Sequence, residues 1–191
     1  MVSCQFALHY FFKDRESLNM VLIFISKYLQ KDGYFFGTCI DSSKIRSLFA
    51  SRKFKEFDSR LFNIKIKDFF KSSPYSNEYY FAIKDTFDRG NYFNTTGVST
   101  EYLIDFEELT TVAASYGLVP VNKNLLQSFT NIYGKLDYTD YPNNYIPFEH
   151  IYNISAQNDS MWVPKKGTRP ITQDEIALNS LDTTFVFKKI K

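Results

Sequence analysis

The side chains best suited to chemistry follow the first apolar segment of the chain. Gln5, His9 and Tyr10 come at the end of residues 2–8, whose composition predicts a β-strand. Ligands of open parallel sheets bind at the carboxyl ends of the strands. An amide, an imidazole and a phenol at that place could contact a ligand, or they could pack at a junction between a strand and a helix. The residue types alone leave both interpretations open.

The sequence lacks the usual catalytic motifs. Its two cysteines, Cys4 and Cys39, and its two histidines, His9 and His150, have spacings that fit neither a zinc site nor a disulfide framework. On a single strand, the odd separation of Cys4 and His9 would put the thiol and the imidazole on opposite faces, and His150 is typical of a solvated loop. No glycine-rich phosphate loop or nucleophile elbow occurs. We therefore expect no metal site and no catalytic nucleophile.

Composition and length are typical of one folded domain. The 191 residues are 44% hydrophobic and 18% aromatic, and the net charge of +2 excludes a global field that would select nucleic acid. The longest apolar run, residues 20–25, is far shorter than the ~20 residues that cross a membrane. We expect no membrane segment, and the two cysteines fit a reducing, intracellular compartment.

Apolar periodicity in the first part of the chain predicts an α/β fold. Residues 16–30 have helical spacing, with Asp14 as the N-cap, and a glycine-bounded strand follows at residues 34–39. A second helix is predicted at residues 44–50. Strands that alternate with helices of this length imply a parallel, buried sheet.

The middle of the chain has a different pattern. Residues 62–67 alternate with a period of two, and residues 79–83 form another apolar run, so we predict half-exposed antiparallel strands in an insert over residues 52–100. Glu101 precedes an apolar segment and could be a solvated strand start. Later predictions are a loop at residues 88–99, a helix capped by Asp105, an edge strand at residues 118–121, a helix at residues 124–133, a polar excursion at residues 136–167, a helix opened by a capping box at residues 172–175 and a strand at residues 183–187.

Four segments together resemble the mRNA cap guanine-N7 methyltransferases, particularly the viral branch in which this domain is part of a larger capping enzyme. Residues 2–10 match the family pattern Ser-x-Gln-Phe-x-x-His-Tyr, and residues 33–39, 97–106 and 175–188 follow in the family's order. The resemblance implies the carboxyl-terminal portion of a Rossmann-like, class I S-adenosylmethionine-dependent methyltransferase fold. That fold would have a mixed sheet, and the antiparallel insert would contribute to the cap pocket.

The resemblance also implies a role for each candidate residue. Gln5 and Tyr10 would bind S-adenosylmethionine, with Tyr10 near the methyl donor and the cap, and His9 would lie against the cap guanine. Glu101 would accept hydrogen bonds from the ring and exocyclic N–H groups of the guanine, a match of one carboxylate to two parallel donors. No catalytic acid or base is implied, because the transfer needs mainly alignment of the two reactants. The implied partner is capped RNA.

Two departures from the family pattern bear on these expectations. Asp182 stands where many relatives have a tyrosine that contacts the cap, so we do not transfer that contact. The family's glycine-rich cofactor loop and acidic ribose-binding residue have no counterpart in residues 1–191. We therefore expect a partial methyltransferase domain that is inactive alone and that works with an upstream half or with other capping-enzyme domains or subunits.

Two other functions remain open from the sequence. The chain could be a non-catalytic, methyltransferase-like subunit that stimulates a capping complex or binds RNA, although such a subunit has no physical need for a complete guanine site. It could also methylate a different substrate. A viral capping protein would be expected in the cytoplasm or the virion, and a cellular one in the nucleus.

Overall fold

The computed structural model describes residues 1–51, 53–84, 98–121, 146–147 and 172–191. Two sheets and four α-helices make up these residues. In chain order the elements are β1 (Val2–Gln5), a 3₁₀ helix (Leu8–Lys13), α1 (Arg15–Tyr28), β2 (Tyr34–Ile40), α2 (Ser42–Leu48), β3 (Glu56–Asp58), β4 (Phe62–Lys65), β5 (Glu78–Ile83), β6 (Ser99–Tyr102), α3 (Phe106–Ser115), β7 (Leu118–Pro120), β8 (Ile146–Pro147), α4 (Gln173–Asn179) and β9 (Asp182–Lys189).

The first sheet is mixed. Its strand order is β1-β2-β9-β7, and β8 also pairs with β9. β1 and β2 are parallel, whereas β9 runs antiparallel to β2, β7 and β8. The α/β class with a mixed sheet is therefore confirmed. The prediction of a parallel sheet from the alternation of strands and helices was wrong, because β9 lies antiparallel between β2 and β7.

Gly37 allows β1, β2 and β9 to pack closely. A Cβ atom at this position would lie 1.8 Å from the carbonyl oxygen of Cys4 and 2.7 Å from the Phe185 ring. Phe185 and Phe187 point into the core on this face of the sheet and pack on Phe35, with ring centroids 5.1 and 6.1 Å apart. Only glycine fits at a backbone approach this close.

The second sheet is antiparallel and has the order β3-β4-β5-β6. Its strands lie between residues 56 and 102. That residues 52–100 form an insert stays a prediction. Phe62 and Ile64 alternate with exposed or half-exposed neighbours, and their side chains enter a hydrophobic core beside this sheet. Ile40 and Ile45, from the first half of the chain, belong to the same core. The shared core joins the insert to the end of β2.

Local side-chain bonds fix the starts of the helices as the sequence predicts. Asp14 accepts a hydrogen bond from the Ser17 amide at α1, and Asp105 accepts one from the Glu108 amide at α3. The capping box of Thr172 and Glu175 opens α4. The predicted loop at residues 88–99 lies outside the described residues up to residue 97, and its end was wrong because Ser99 is the first residue of β6. The helix at residues 124–133, nearly all of the excursion at residues 136–167 and His150 also lie outside the described residues.

Candidate active site

The site begins where β1 ends. The strand stops at Gln5, and Phe6 has a φ of 50°, in the left-handed region that favours glycine. The Phe6 amide donates to the carbonyl of Thr38 over 2.8 Å, which ties the turn to β2. The 3₁₀ helix then buries His9 to 4% exposure and leaves Tyr10 at 42%. Cys4 and His9 thus do not share a strand, so the argument from opposite strand faces does not apply to them.

Glu101 lies on β6 directly opposite Tyr79 of β5. The Tyr79 hydroxyl donates a 2.6 Å hydrogen bond to Oε2 of Glu101, and both residues are buried. Burial raises the pKa of Glu101, while hydrogen bonds from the side chains of Tyr79 and Ser99 act in the opposite direction. The prediction of a solvated strand start for Glu101 was therefore wrong.

His9 of the 3₁₀ helix and Glu101 of β6 come together. Nε2 of His9 lies 3.8 Å from Oε1 of Glu101, which is beyond hydrogen-bond distance. Burial lowers the pKa of His9 to about 4, so the imidazole is neutral near pH 7. Within the described residues, neither nitrogen of His9 has a hydrogen-bond partner. A buried imidazole thus has one donor and one acceptor available beside a carboxylate.

Tyr10 joins the same network through Ser99. The Tyr10 and Ser99 hydroxyl oxygens are 3.0 Å apart, and the ring of Tyr10 meets that of His9 edge-on with centroids 4.1 Å apart. Because the single hydroxyl proton of Ser99 is used toward Glu101, the Tyr10 hydroxyl is the donor in this pair. His9, Tyr10 and Glu101, which sequence reasoning singled out separately, therefore form one cluster.

Asp182 adds a second carboxyl group near Glu101. It is the first residue of β9 and pairs with Ile40. Burial, and then the negative charge of Glu101, raise the pKa of Asp182 to about 7. The sequence marked Asp182 only as a departure from the family pattern, and the structure shows that it senses the charge of Glu101.

Gln5 lies apart from this cluster, on the exposed surface of the sheet. Its Nε2 donates to the Ser3 hydroxyl over 2.8 Å, and its Oε1 accepts from the Thr38 hydroxyl over 2.6 Å. A primary amide has two donor protons and two acceptor lone pairs, so each end of Gln5 retains capacity for a ligand. Its assignment to the cofactor stays a prediction.

A comparison with protein families shows which family the chain belongs to. A family model described as the mRNA (guanine-N(7))-methyltransferase domain matches residues 1–190. The chain belongs to this family. The resemblance carried by residues 2–10 and 97–106 is thereby confirmed at the level of the family.

Curated cap methyltransferases are similar to this member of the family. The mRNA cap guanine-N(7) methyltransferase of Saccharomyces cerevisiae is 32% identical over 66% of this chain and 31% of its own length. The protein of the same name from Candida glabrata is 27% identical over 100% of this chain and 43% of its own length. The chain thus spans less than half the length of these relatives, which are fungal and do not distinguish the viral branch.

A solved structure of an S-adenosylmethionine-dependent methyltransferase from Clostridium acetobutylicum is also similar to this family member. Its TM-score is 0.44 at 10% identity, over 97% of this chain and 56% of that one. A likeness at this distance carries no argument about function.

The described part of this cap methyltransferase domain contains neither a cluster of metal ligands nor a membrane-spanning helix. In those residues, no group of three or more histidine, cysteine, aspartate or glutamate side chains is placed to hold a metal ion. Among the same residues, no helix has the length and apolar character to cross a membrane.

Sequence reasoning missed Tyr79 and Ser99 as parts of the site. Tyr79 belongs to an apolar run that gives no sign of a polar role, and Ser99 looked like the end of a loop. Tyr79 lies opposite Glu101 on β5, and Ser99 lies two residues before Glu101 on β6. The hydroxyl groups at these two positions could have indicated the site, but only once the register of β5 and β6 is known.

Proposed function

We propose that this chain forms the guanine-recognition part of an mRNA cap guanine-N7 methyltransferase, which transfers a methyl group from S-adenosylmethionine to N7 of the cap guanine. The observation that carries the proposal is the buried carboxylate of Glu101, held at Oε2 by Tyr79 while Oε1 faces His9. The guanine edge presents a ring N–H and an exocyclic amine as parallel donors. A carboxylate fixed in this way matches them.

The charge of Glu101 also suits the product. Methylation at N7 turns the guanine ring into a cation, and a carboxylate already oriented by the Tyr79 and Ser99 hydroxyls stabilises that charge without reorganisation. Burial strengthens this interaction because water does not screen it. The same group therefore selects guanine and favours its methylated form.

His9 supports the proposal through its unpartnered nitrogens. A neutral imidazole donates from one nitrogen, and a guanine held by Glu101 offers the carbonyl oxygen beside its ring N–H as an acceptor. Placing the guanine there would satisfy a buried polar group that has no partner among the described residues. Buried polar atoms without partners are uncommon and point to a ligand.

Gln5 and Tyr10 fit a place on the methyl-donor side of the guanine. The exposed amide of Gln5 retains donor and acceptor capacity at the carboxyl end of β1, and the ring of Tyr10 is 42% exposed next to His9. S-adenosylmethionine, when bound, supplies the methyl group as an electrophile. The residues of this chain would align the guanine nitrogen with it and exclude water, which requires no general base.

Capped RNA is the substrate that this proposal implies, and an RNA-binding role is part of it. The fungal relatives favour the cap of cellular transcripts as the first substrate to test, and a nuclear location would follow from that assignment. The viral branch remains a prediction. Other capping-enzyme domains or subunits remain proposed partners.

Binding of cap dinucleotides with and without the exocyclic amine tests the guanine site directly. Calorimetry on residues 1–191, and on the longest form of the protein that contains them, should show tighter binding of a guanosine cap than of an inosine cap. Glu101→Gln should abolish that preference, because a neutral amide offers the edge both a donor and an acceptor. Glu107→Gln, which alters an exposed carboxylate in the first turn of α3, is the matched control.

Equal affinity of the unaltered protein for guanosine and inosine caps would contradict the proposal. Cap binding without methyl transfer in the longest form would instead support the non-catalytic subunit. Transfer of the methyl group to other acceptors, with none to the cap, would support the alternative substrate.

A further inference from the structure

A concave site lies on the segment that joins β4 to β5, apart from the cluster of His9, Tyr10 and Glu101. It is a cavity of about 180 Å³ that Lys67, Lys71, Ser76 and Asn77 line together with neighbouring residues. The side chain of Asn77, 2% exposed, accepts from the Lys71 amide over 2.6 Å and donates to the Ser73 carbonyl. This buried amide fixes the wall of the cavity and keeps Lys71 at its rim.

Four cations gather around this cavity. Beside Lys67 and Lys71, Nζ of Lys55 donates to the Lys67 carbonyl over 2.8 Å and lies 5.3 Å from the centre of the Phe69 ring. The guanidinium of Arg46 lies 5.5 Å from the centre of the Phe70 ring. The two phenylalanines line the cavity as well. Cations held over aromatic rings lose little freedom when they meet an anion.

The charge of this cluster is positive although the chain as a whole is nearly neutral. Asp68 and Glu78 also line the cavity, so four cations (Arg46, Lys55, Lys67, Lys71) face two carboxylates. The surface around the cavity therefore carries a local excess of positive charge, which suits an anionic ligand.

Hydrogen bonds to backbone carbonyls connect the cavity to the proposed guanine site on two sides. The amide and hydroxyl of Ser76 donate to the carbonyls of Phe12 and Lys13, which belong to the 3₁₀ helix that carries His9. The carbonyl of Asn77 accepts from the amide of Leu103, two residues after Glu101. Each of the two segments that carry His9 and Glu101 is thus joined to the cavity wall by hydrogen bonds.

We propose that Arg46, Lys55, Lys67 and Lys71 bind the phosphodiester backbone of the single-stranded RNA that follows the cap. The identity of this RNA rests on the proposed function, because a guanine held by Glu101 leaves its phosphates to run along the neighbouring surface. Binding here is independent of base sequence, since ammonium and guanidinium groups contact phosphates and carry no base code. Cations interleaved with aromatic rings are typical of such surfaces.

The dependence of RNA affinity on salt tests this site. A fluorescently labelled, uncapped 12-nucleotide RNA would be titrated at several KCl concentrations, which leaves cap recognition out of the measurement. Lys67→Gln/Lys71→Gln should weaken binding and reduce the slope of log affinity against log salt by about 1.4, since each phosphate contact on a single strand contributes about 0.7. Lys27→Gln/Lys31→Gln, which removes two exposed charges at the end of α1, should leave the slope unchanged.

A further variant and a further ligand distinguish a loss of charge from a loss of structure, and RNA from other anions. Lys67→Arg/Lys71→Arg keeps both charges and should keep the unaltered slope, and all variants should bind the cap dinucleotide as the unaltered protein does. An unchanged slope in the glutamine variant would overturn the proposal, as would an equal loss in the arginine variant or an equal loss of binding to polyglutamate. Failure of the inosine test with success here would refute the guanine site alone.

Discussion

The hydroxyl of Tyr79 and the carboxylate of Glu101 face each other across neighbouring strands, joined by a 2.6 Å hydrogen bond in the interior of the protein. The bond favours the ionised form of Glu101 against the cost of burial. Tyr79 in turn is held protonated, because burial and the charge of Glu101 raise its pKa well above the usual range. The pair thus holds the buried carboxyl group of Glu101 in one orientation, and the bond opposes the rise in its pKa that burial causes.

Tyr79→Phe should therefore weaken cap binding without emptying the site. The variant keeps the ring and loses the hydroxyl, so the pKa of Glu101 should rise and the affinity for a guanosine cap at neutral pH should fall roughly tenfold, the cost of one hydrogen bond to a charged group. As the pH is lowered, calorimetric titrations should show that Tyr79→Phe loses its affinity for the cap at a higher pH than the unaltered protein does. Tyr80→Phe, which removes the hydroxyl of a half-buried tyrosine bonded to Glu78, is the control. Equal pH profiles for Tyr79→Phe and the unaltered protein would exclude this role.

Asp182 and His9 should make opposite contributions to the pH dependence of stability. The pKa of Asp182 is about 7 in the folded protein, against an ordinary value of 3.8, so the folded state binds its proton more strongly than the unfolded state. Its contribution to stability is full below about pH 4 and is lost as the pH rises to about 7. The raised pKa of Glu101 acts in the same direction.

The lowered pKa of His9 gives the reverse slope. The folded state resists protonation down to about pH 4, whereas the unfolded imidazole takes its proton near 6.5, so stability falls as the pH falls through this window. In urea unfolding at a series of pH values, Asp182→Asn should therefore gain stability above about pH 7. His9→Phe should lose stability more steeply than the unaltered protein as the pH rises from about 4 to 6.5, by up to about 1.4 kcal/mol per pH unit. Parallel curves for all three proteins would show that neither group titrates differently on folding.

The sequence predicts those parts of the molecule that depend on local bonds. Asp14, Asp105 and Thr172 cap their helices through hydrogen bonds to residues three positions later, so neighbouring residues decide the outcome. The strands of the insert follow from their alternation, since that pattern has no other structural reading. The resemblance supplied His9 and Glu101.

Contacts across long separations were beyond sequence reasoning. Whether Tyr79 meets Glu101, 22 residues away along the chain, depends on the register of β5 against β6. A slip of one residue would put the two side chains on opposite faces of the sheet. The position of β9 between β2 and β7 depends on which strand edges remain free. The cavity and its cations combine Arg46 of α2, Lys55 just before β3 and the segment between β4 and β5, which only the fold brings together.

Gly37→Ala should prevent the first sheet from closing properly. The added methyl group would lie 1.8 Å from the carbonyl oxygen of Cys4, a backbone atom that cannot move without breaking the pairing of β1 and β2. We expect a loss of more than about 3 kcal/mol in the free energy of unfolding, measured in urea, as for a badly overpacked core. Gly117→Ala should cost only about 1 kcal/mol, because Gly117 has a φ of +73° but its nearest new contact is a side-chain atom 3.3 Å away. Equal losses at the two glycines would show that β1 and β2 do not approach as closely as described.

Gln5 and Glu101 should separate the two ligands of the proposed reaction. Gln5 lies on the exposed sheet surface with side-chain hydrogen bonds to Ser3 and Thr38, whereas Glu101 is buried beside His9, so the two side chains belong to different parts of the site. In the longest form of the protein that contains residues 1–191, Gln5→Ala should weaken the binding of S-adenosylhomocysteine several-fold and change cap affinity little. Glu101→Ala should do the reverse, with a loss of about 2 kcal/mol or more for the guanosine cap, since it removes a charged acceptor from two donors. Thr38→Val removes the hydroxyl that donates to Oε1 of Gln5 and leaves the Gln5 amide in place. It therefore separates the effect of this hydrogen bond from that of the amide itself. Equal losses of both ligands in Gln5→Ala and Glu101→Ala would contradict the division, because a carboxylate that reads guanine and an amide that holds the methyl donor cannot be exchanged for each other.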